Sequence, residues 1–307
     1  MDLIKPGTKI PFTRYRKIAL ILSTAANLAV LALLFIKGPN LGVDFAGGTM
    51  VQIKFQQKVS IPDIRQALNA VQLGSSSIQD FGEEGSNEYL IRVDVEAADL
   101  GALAERLKSA LAAKFGADKF EVRRIESVGA KIGEDLRRRG ALSVIAATIM
   151  MGVYIWVRFS AAFGARFGLQ FGLGAVIALI HDVLITVGAL VLANYEFDLT
   201  VIAALLTIVG FSVNDTVVIC DRIRENLRKI RRETLESVIN LSLNECLNRT
   251  VLTTGTALMV LSALYLLGGA VIRPFAFSLL VGFISGVYST IFIASPVILL
   301  WDKGVRR

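Results

Sequence analysis

Six stretches of this chain are long and apolar enough to cross a membrane, which limits the fold before any motif is considered. A hydrocarbon core about 30 Å thick needs about 20 helical residues at about 1.5 Å each. The stretches at 18–36, 141–157, 167–193, 199–219, 251–269 and 275–301 approach or exceed that length. Backbone in lipid must satisfy its own hydrogen bonds, so each stretch is expected to be a helix. Composition agrees: 54% of the 307 residues are hydrophobic and 19% charged, where soluble chains carry about 25% charge. The first stretch follows Lys5, Lys9, Arg14, Arg16 and Lys17, as a secretion signal would. It is longer than a signal's apolar region of about 7–15 residues and ends in Leu34-Phe35-Ile36-Lys37 rather than in small residues, so it reads as an uncleaved span.

Six spans put both termini on one side, and loop charge says which. The terminal segments, the turn with Arg158 and Arg166 and the loop at 221–249 together hold 17 Lys and Arg, whereas the short opposite loops hold only Arg273. Both termini are therefore expected to be cytoplasmic. The long segment 37–140 carries 15 basic and 15 acidic residues, so the net charge of +7 arises outside it. A basic excess confined to cytoplasmic loops is the signature of orientation in a bilayer, and nucleic acid is not an expected partner. Arg137, Arg138 and Arg139 stand just outside the second span and read as a collar at the lipid headgroups, or as a contact surface for a partner.

Within 37–140 the apolar period switches repeatedly. Strands are expected at 49–55, 76–81, 89–95 and 120–127, and helices at 62–71 and 97–115, the first opened by Ser60 and Asp63 in capping-box spacing. The order β-α-β-β-α-β is that of a ferredoxin-like α+β domain. No Ser/His/Asp set or carboxylate pair in it suggests a reaction, so it is expected to bind protein rather than to catalyse.

The spans themselves contain few ionisable groups, and each is costly enough to mark a functional candidate. His181 and Asp182 lie near the middle of the third span, Asn214 and Asp215 about one turn from the cytoplasmic end of the fourth, and Arg249 at the mouth of the fifth. Asp215 and Arg249 can pair if the fourth and fifth spans pack together. That pair reads either as a static tie between helices or as a carboxylate that gains and loses a proton beside a guanidinium. His181 and Asp182 admit the same two readings. Gly164, Gly168 and Gly172, with Gly282 and Gly286, have the small-residue spacing of close helix packing. Cys220 and Cys246 read as inert thiols, and with one histidine in the chain no metal or other cofactor is expected. No phosphate-binding glycine loop is present, so ATP is not expected to bind.

Four motifs, taken in order, resemble those of the SecF family of the bacterial Sec machinery. They are Gly42-Val43-Asp44-Phe45-Ala46-Gly47-Gly48 after the first span, Ala178-Leu179-Ile180-His181-Asp182-Val183 in the third, Ser212-Val213-Asn214-Asp215-Thr216 with Asp221-Arg222-Ile223-Arg224-Glu225-Asn226 in and after the fourth, and Asn248-Arg249-Thr250 at the fifth. The resemblance covers essentially the whole chain. It implies an α-helical polytopic membrane protein, half of a resistance-nodulation-division type unit, in the bacterial inner membrane. It also implies SecD as obligate partner, docking on the SecY-SecE-SecG channel, SecA pushing from the cytosol, and a translocating preprotein as the object moved by the proton motive force. Asp215 and Arg249 fall where the family places its proton-coupling charges, with a further aspartate belonging to SecD. Two other readings stand beside this one: an exporter half for a small molecule or lipid, which would show an apolar cleft in the external domain, and a passive assembly scaffold. The implied division is a cytoplasmic segment 1–17, a span 18–36, an external domain 37–140, and five further spans in 141–307.

Overall fold

The computed structural model describes residues 8–82, 85–93, 100–230 and 233–300. The end of the expected third strand at 94–95, the start of the expected helix at 97–99, and Lys5, Arg231, Arg232 and Trp301 onward lie outside these residues.

After a single 3-10 turn at Phe12–Tyr15, α1 runs Arg16–Ile36 and ends where Gly38 turns the chain with φ +69°. Lys37 reaches back to donate to the carbonyl of Val191 at 3.0 Å and to Asn194 Oδ1 at 2.6 Å. A cation at the C-terminal end of the third span is the favourable sign for that helix dipole. One short helix, α2 at Val43–Ala46, then leads into the α+β domain between the first two spans.

The domain follows the expected order. Strand β1 is Gly48–Phe55, helix α3 Ile61–Asn69, β2 Ser77–Phe81, β3 Glu88–Val93, α4 Leu100–Phe115 and β4 Phe120–Val128. The sheet order is β2-β3-β1-β4, antiparallel throughout, with Val51 opposite Ile91 and Ile125. This is the ferredoxin-like arrangement. Alternation along β1 sends Val51, Ile53 and Phe55 to the face covered by α3 and α4, where they meet Ile64, Leu68, Leu107 and Leu111. Each such side chain, fully buried, contributes about 1.5–3 kcal/mol. Ser60 caps α3 by accepting from the Asp63 amide, as its spacing predicts. The opposite face of the sheet looks toward the membrane helices.

Six helices among the described residues are long and apolar enough to span a bilayer, which makes this a multi-pass membrane protein. Beyond α1 they are α5 at Ala130–Phe163, α6 at Ala165–Leu192, α7 at Leu199–Lys229, α8 at Leu235–Leu267, and α9 at Gly269–Ser289 continued by a π turn at Thr290–Ala294 and α10 at Ser295–Leu300. Helices α6, α7 and α9 form the centre, with α1, α5 and α8 around them.

Several helices exceed the apolar stretches that announce them. Helix α5 begins 11 residues before 141, through a polar turn tied by Asp135 and Arg139 at 2.7 Å. The segment 221–249 is not a loop in the main: α7 continues to Lys229 and α8 starts at Leu235. Residues 271–274, expected as a loop, belong to α9. Hydropathy detects only the part of a helix that lipid requires, whereas the helix itself extends as long as charged side chains pair along it. The glycines divide by role. Gly168, Gly172 and Gly282 permit contact, a Cβ on Gly172 falling 2.8 Å from the Gly152 carbonyl oxygen, while Gly164, with open space around it and φ +86°, makes the turn between α5 and α6.

Candidate functional site

Asp182 is wholly buried at the meeting point of α6, α7 and α9. Its Oδ2 accepts from Ser212 Oγ at 2.8 Å and Ser289 Oγ at 2.7 Å, and its Oδ1 from Ser285 Oγ at 2.7 Å. His181 Nδ1 stands 3.2 Å from the same Oδ1. The room for this cluster comes from Gly286, where a Cβ would lie 3.3 Å from that of Ser212 and 3.7 Å from Asp182 Oδ2. Ser289 sits immediately before the π turn, a distortion that in other helices often accompanies function. His181 lies against the Tyr288 ring, centroids 5.9 Å apart, and the Tyr288 hydroxyl bridges to Ser23 Oγ on α1 at 2.9 Å.

Asp215, three residues after Ser212 on α7, is buried too, yet it is treated differently. Its Oδ2 has no hydrogen-bond partner, and neither do the buried hydroxyls of Thr250 and Thr254 one turn apart on α8. The polar groups that act on Asp215 come from α8: the Thr250 hydroxyl, which faces the carboxyl as a hydrogen-bonding group without a bond to Oδ2, and the Arg249 charge. The two expected partners are thus neighbours without a direct ion pair: among the described residues no carboxylate lies within 4.0 Å of the Arg249 guanidinium. Arg249 is exposed in an open cleft of about 520 Å³ shared with Val218, Cys246 and the charged residues below. Asn214 points away from this site and is exposed on the outer surface of the bundle. Both cysteines are free and buried.

The motif charges after the fourth span form a bracket between helices. Asp221 accepts from Arg158 of α5 at 3.2 Å and pairs with Arg224 at 3.5 Å. Arg222 donates to Glu245 of α8 at 2.7 Å and to Glu225 at 2.6 Å, and Asn226 adds bonds to Glu245 and Ser242. On the same side of the bundle, the N-terminal turn is tied to α8 by paired bonds between Ile10 and Asn244 and by Arg16 with Glu236.

At the other end the glycine motif makes the joint between domain and bundle. Asp44 Oδ2 accepts from the Leu199 amide at 3.0 Å, so it serves with Asp198 to cap α7. Gly42 and Asn40 exchange backbone bonds with Phe197 at 3.0 and 2.7 Å, and the Phe45 ring lies tilted against that of Phe197, centroids 6.1 Å apart. Gly47 has φ +74°, and a Cβ there would lie 2.7 Å from the Ala130 Cα at the start of α5; Gly48 opens β1. Gln79 of β2 donates to Glu196, and Arg92 of β3 to the Leu41 carbonyl at 2.7 Å. Burial pushes the Glu196 carboxyl above its ordinary value, against the opposing pull of Gln79 and Arg92. Above this joint a cavity of about 610 Å³ is lined by Asp44, Asp80, Arg124, Glu126, Asp198 and Arg273 among others.

The sequence marks His181 and Asp182 near the middle of the third span, Asp215 near the end of the fourth and Arg249 at the mouth of the fifth, but does not single out Ser285 and Ser289. Their spacing, four residues apart on the most buried span, is the signal that was available.

Residues 107–304 match the family described as protein export membrane protein SecD/SecF, C-terminal, and residues 32–59 match the SecD/SecF GG motif. The chain is 44% identical over 298 residues to a protein named protein translocase subunit SecF from Desulfurispirillum indicum, covering 95% of this chain and 91% of that one. It is 42% identical over 310 residues to the protein of the same name from Magnetococcus marinus, covering 100% and 96%. Among solved structures it is similar to SecDF from Thermus thermophilus, described as a translocon-associated membrane protein, with a TM-score of 0.85 at 31% identity. That match covers 96% of this chain but only 39% of the SecDF chain.

Proposed function

The chain belongs to the SecD/SecF family of protein export membrane proteins, and from that premise we propose that it acts with a SecD partner to promote preprotein translocation across the bacterial inner membrane, using the proton motive force. The observation that carries the coupling step is the unpaired, buried Oδ2 of Asp215, facing a helix whose own Thr250 and Thr254 hydroxyls lack partners. An ionised carboxylate oxygen in that position lacks the hydrogen bonds that offset desolvation, and a bound proton relieves the cost. Protonation also removes the negative charge that Arg249 faces, so the α7–α8 contact has two states. A charge moving through the membrane field is worth about 2.3 kcal/mol per 100 mV, enough to shift such an equilibrium more than tenfold.

Helix α7 carries the change outward. From Asp215 to Leu199 is 16 residues, about 24 Å of helix, and Leu199 is bonded to Asp44 of the domain joint. A shift of α7 therefore acts on the external domain, which in this reading lies on the outer face and engages the emerging polypeptide, with both termini cytoplasmic. The SecD partner fits the exposed side of α7 and α8, where Thr207, Asn214, Arg249, Thr253 and Thr256 are uncovered. Polar groups facing lipid are costly, and a second helical half would cover them. The SecY-SecE-SecG channel and SecA belong to the same reading as the channel served and the ATP-driven motor. The cavity under the sheet mixes charged residues with Val43, Met50, Phe81, Leu90, Val271 and Pro274, so an exporter half for a small molecule or lipid is the second reading, separated from the first by whether the chain restores preprotein export.

A complementation experiment tests the proposal. In a strain lacking its own copy of this subunit, the wild-type chain is expected to restore export of a reporter preprotein. Asp215→Asn and Arg249→Ala variants are expected to insert at normal levels, to co-purify with SecD and to fail. Full restoration by Asp215→Asn would reduce Asp215 to a packing residue.

A further inference from the structure

We infer that His181 and Asp182 form a second proton-holding site in the bundle, with Asp182 as a fixed anion and His181 as the group that takes and releases the proton. The inference rests on the hydrogen-bond geometry of the two residues and holds apart from the proposed role of Asp215.

A carboxylate with no cover from water needs donors or must be neutral. Asp182 has three hydroxyl donors from two other helices: Ser212 on α7, and Ser285 and Ser289 on α9. For Ser212, the bond to Asp182 is the one side-chain bond it donates, and for Ser285 the only acceptor besides Asp182 is His181 Nδ1 at 3.5 Å. An ionised carboxylate accepts from all three hydroxyls and from an N–H of His181 together. A protonated one is a donor at one oxygen and keeps fewer of those bonds: at Oδ2 it would displace Ser212 from the one acceptor that hydroxyl has, whereas Ser285 and Ser289 have His181 Nδ1 and the Gly286 carbonyl as alternatives. The cluster is built for the anion.

That leaves the balancing positive charge to be found. Among the described residues no Lys or Arg pairs with Asp182, and the titratable groups recorded against the site are His181 on the same helix and Tyr288 on α9. Helices α7 and α1 contribute Ser212 and Ser23, which do not titrate in this range. The imidazole is therefore the place for a proton. On uptake, the lone pair of a ring nitrogen accepts a proton from hydronium, leaving water and an imidazolium paired with Asp182; release reverses the step, and the carboxylate keeps its charge throughout. Ser289 also has the Gly286 carbonyl at 3.2 Å as an alternative acceptor, so it can leave Asp182 without losing its bond. The π turn begins at the next residue, which places the rearrangement where α9 is already distorted.

His181 is the sole histidine in the chain, so its state can be read without assignment. The full chain, labelled with 15N-histidine and reconstituted in lipid bilayers, is observed by solid-state NMR at pH 5 and pH 9. The expected result is two protonated ring nitrogens at pH 5 and a single neutral tautomer at pH 9. In a Ser285→Ala/Ser289→Ala variant the imidazolium signal at pH 5 is expected to fall several-fold, because Asp182 no longer stays ionised. A neutral ring at both pH values, or an imidazolium at both, would overturn the inference, as would an unchanged signal in the double variant. The spectrum needs no translocation, so its outcome is separate from the fate of Asp215 in export.

Discussion

Asp182 and Asp215 are two buried carboxylates, the first bonded to Ser212 three residues before the second on α7; one accepts from three hydroxyls and the other is left with an oxygen that accepts from none. On that difference rest the two separate roles proposed for them above. At the domain joint a residue-scale test is available at Gly47, whose φ of +74° and ψ of −179° lie in a region essentially reserved for glycine. Gly47→Ala also places a methyl 2.7 Å from the Ala130 Cα. We expect a loss of about 1–3 kcal/mol or more in the stability of the joint, measured as faster amide exchange at Gly48 and at the start of α5 in the full chain. Unchanged exchange would mean that the motif glycine is not what seats the domain. The charged residues of the core were legible in the sequence because an ionisable group in an apolar run stands out by its cost. Ser285 and Ser289 were not, since a serine in a membrane helix can satisfy itself on its own backbone and carries no such signature. Nor did sequence show that Asp215 and Arg249 stop short of an ion pair, which depends on rotamers.

Among the elements, the four strands and two helices of the external domain were readable because their apolar periods differ and because their core is self-contained. The extension of α5 before residue 141, those of α7 past 219 and of α8 before 251, and the short α2 were not. Each is set by polar contacts between segments far apart in the chain, such as Arg158 with Asp221 and Arg222 with Glu245. The joint between domain and bundle is also such a contact, and it carries a pH dependence. Burial raises the Glu196 carboxyl, so the neutral form is the one the joint prefers. Its contribution is complete below the ordinary carboxylate range and is lost as pH rises through the raised value. At neutral pH an ionised Glu196 weakens the joint, and Glu196→Gln is expected to strengthen it. Hydrogen exchange at the Gly42 and Phe197 amides should be slower in the variant than in wild type at pH 7, with the difference vanishing near pH 4. Equal exchange at pH 7 would remove Glu196 as a pH-sensitive contact.

At the scale of the whole molecule, the chain places a compact domain on one end of a six-helix bundle and a bracket of ion pairs at the other, with two carboxylate sites between them. Orientation is checked by single cysteines on exposed positions at the two ends, since Cys246 is buried and would be silent from either side. With an impermeant thiol reagent in intact cells, Lys58→Cys is expected to react and Lys229→Cys to remain unlabelled; the opposite pattern would invert the proposed topology. The central claim is that Asp215 passes a proton and thereby drives the external domain. It is tested most directly in inverted membrane vesicles containing the full complex, by measuring ATP-driven import of a preprotein with and without an uncoupler. For the wild-type chain the uncoupler should remove a substantial stimulated fraction, whereas vesicles with Asp215→Asn should import at the uncoupled rate whether or not the uncoupler is present. An Asp215→Asn variant that keeps the full uncoupler-sensitive stimulation would contradict the account.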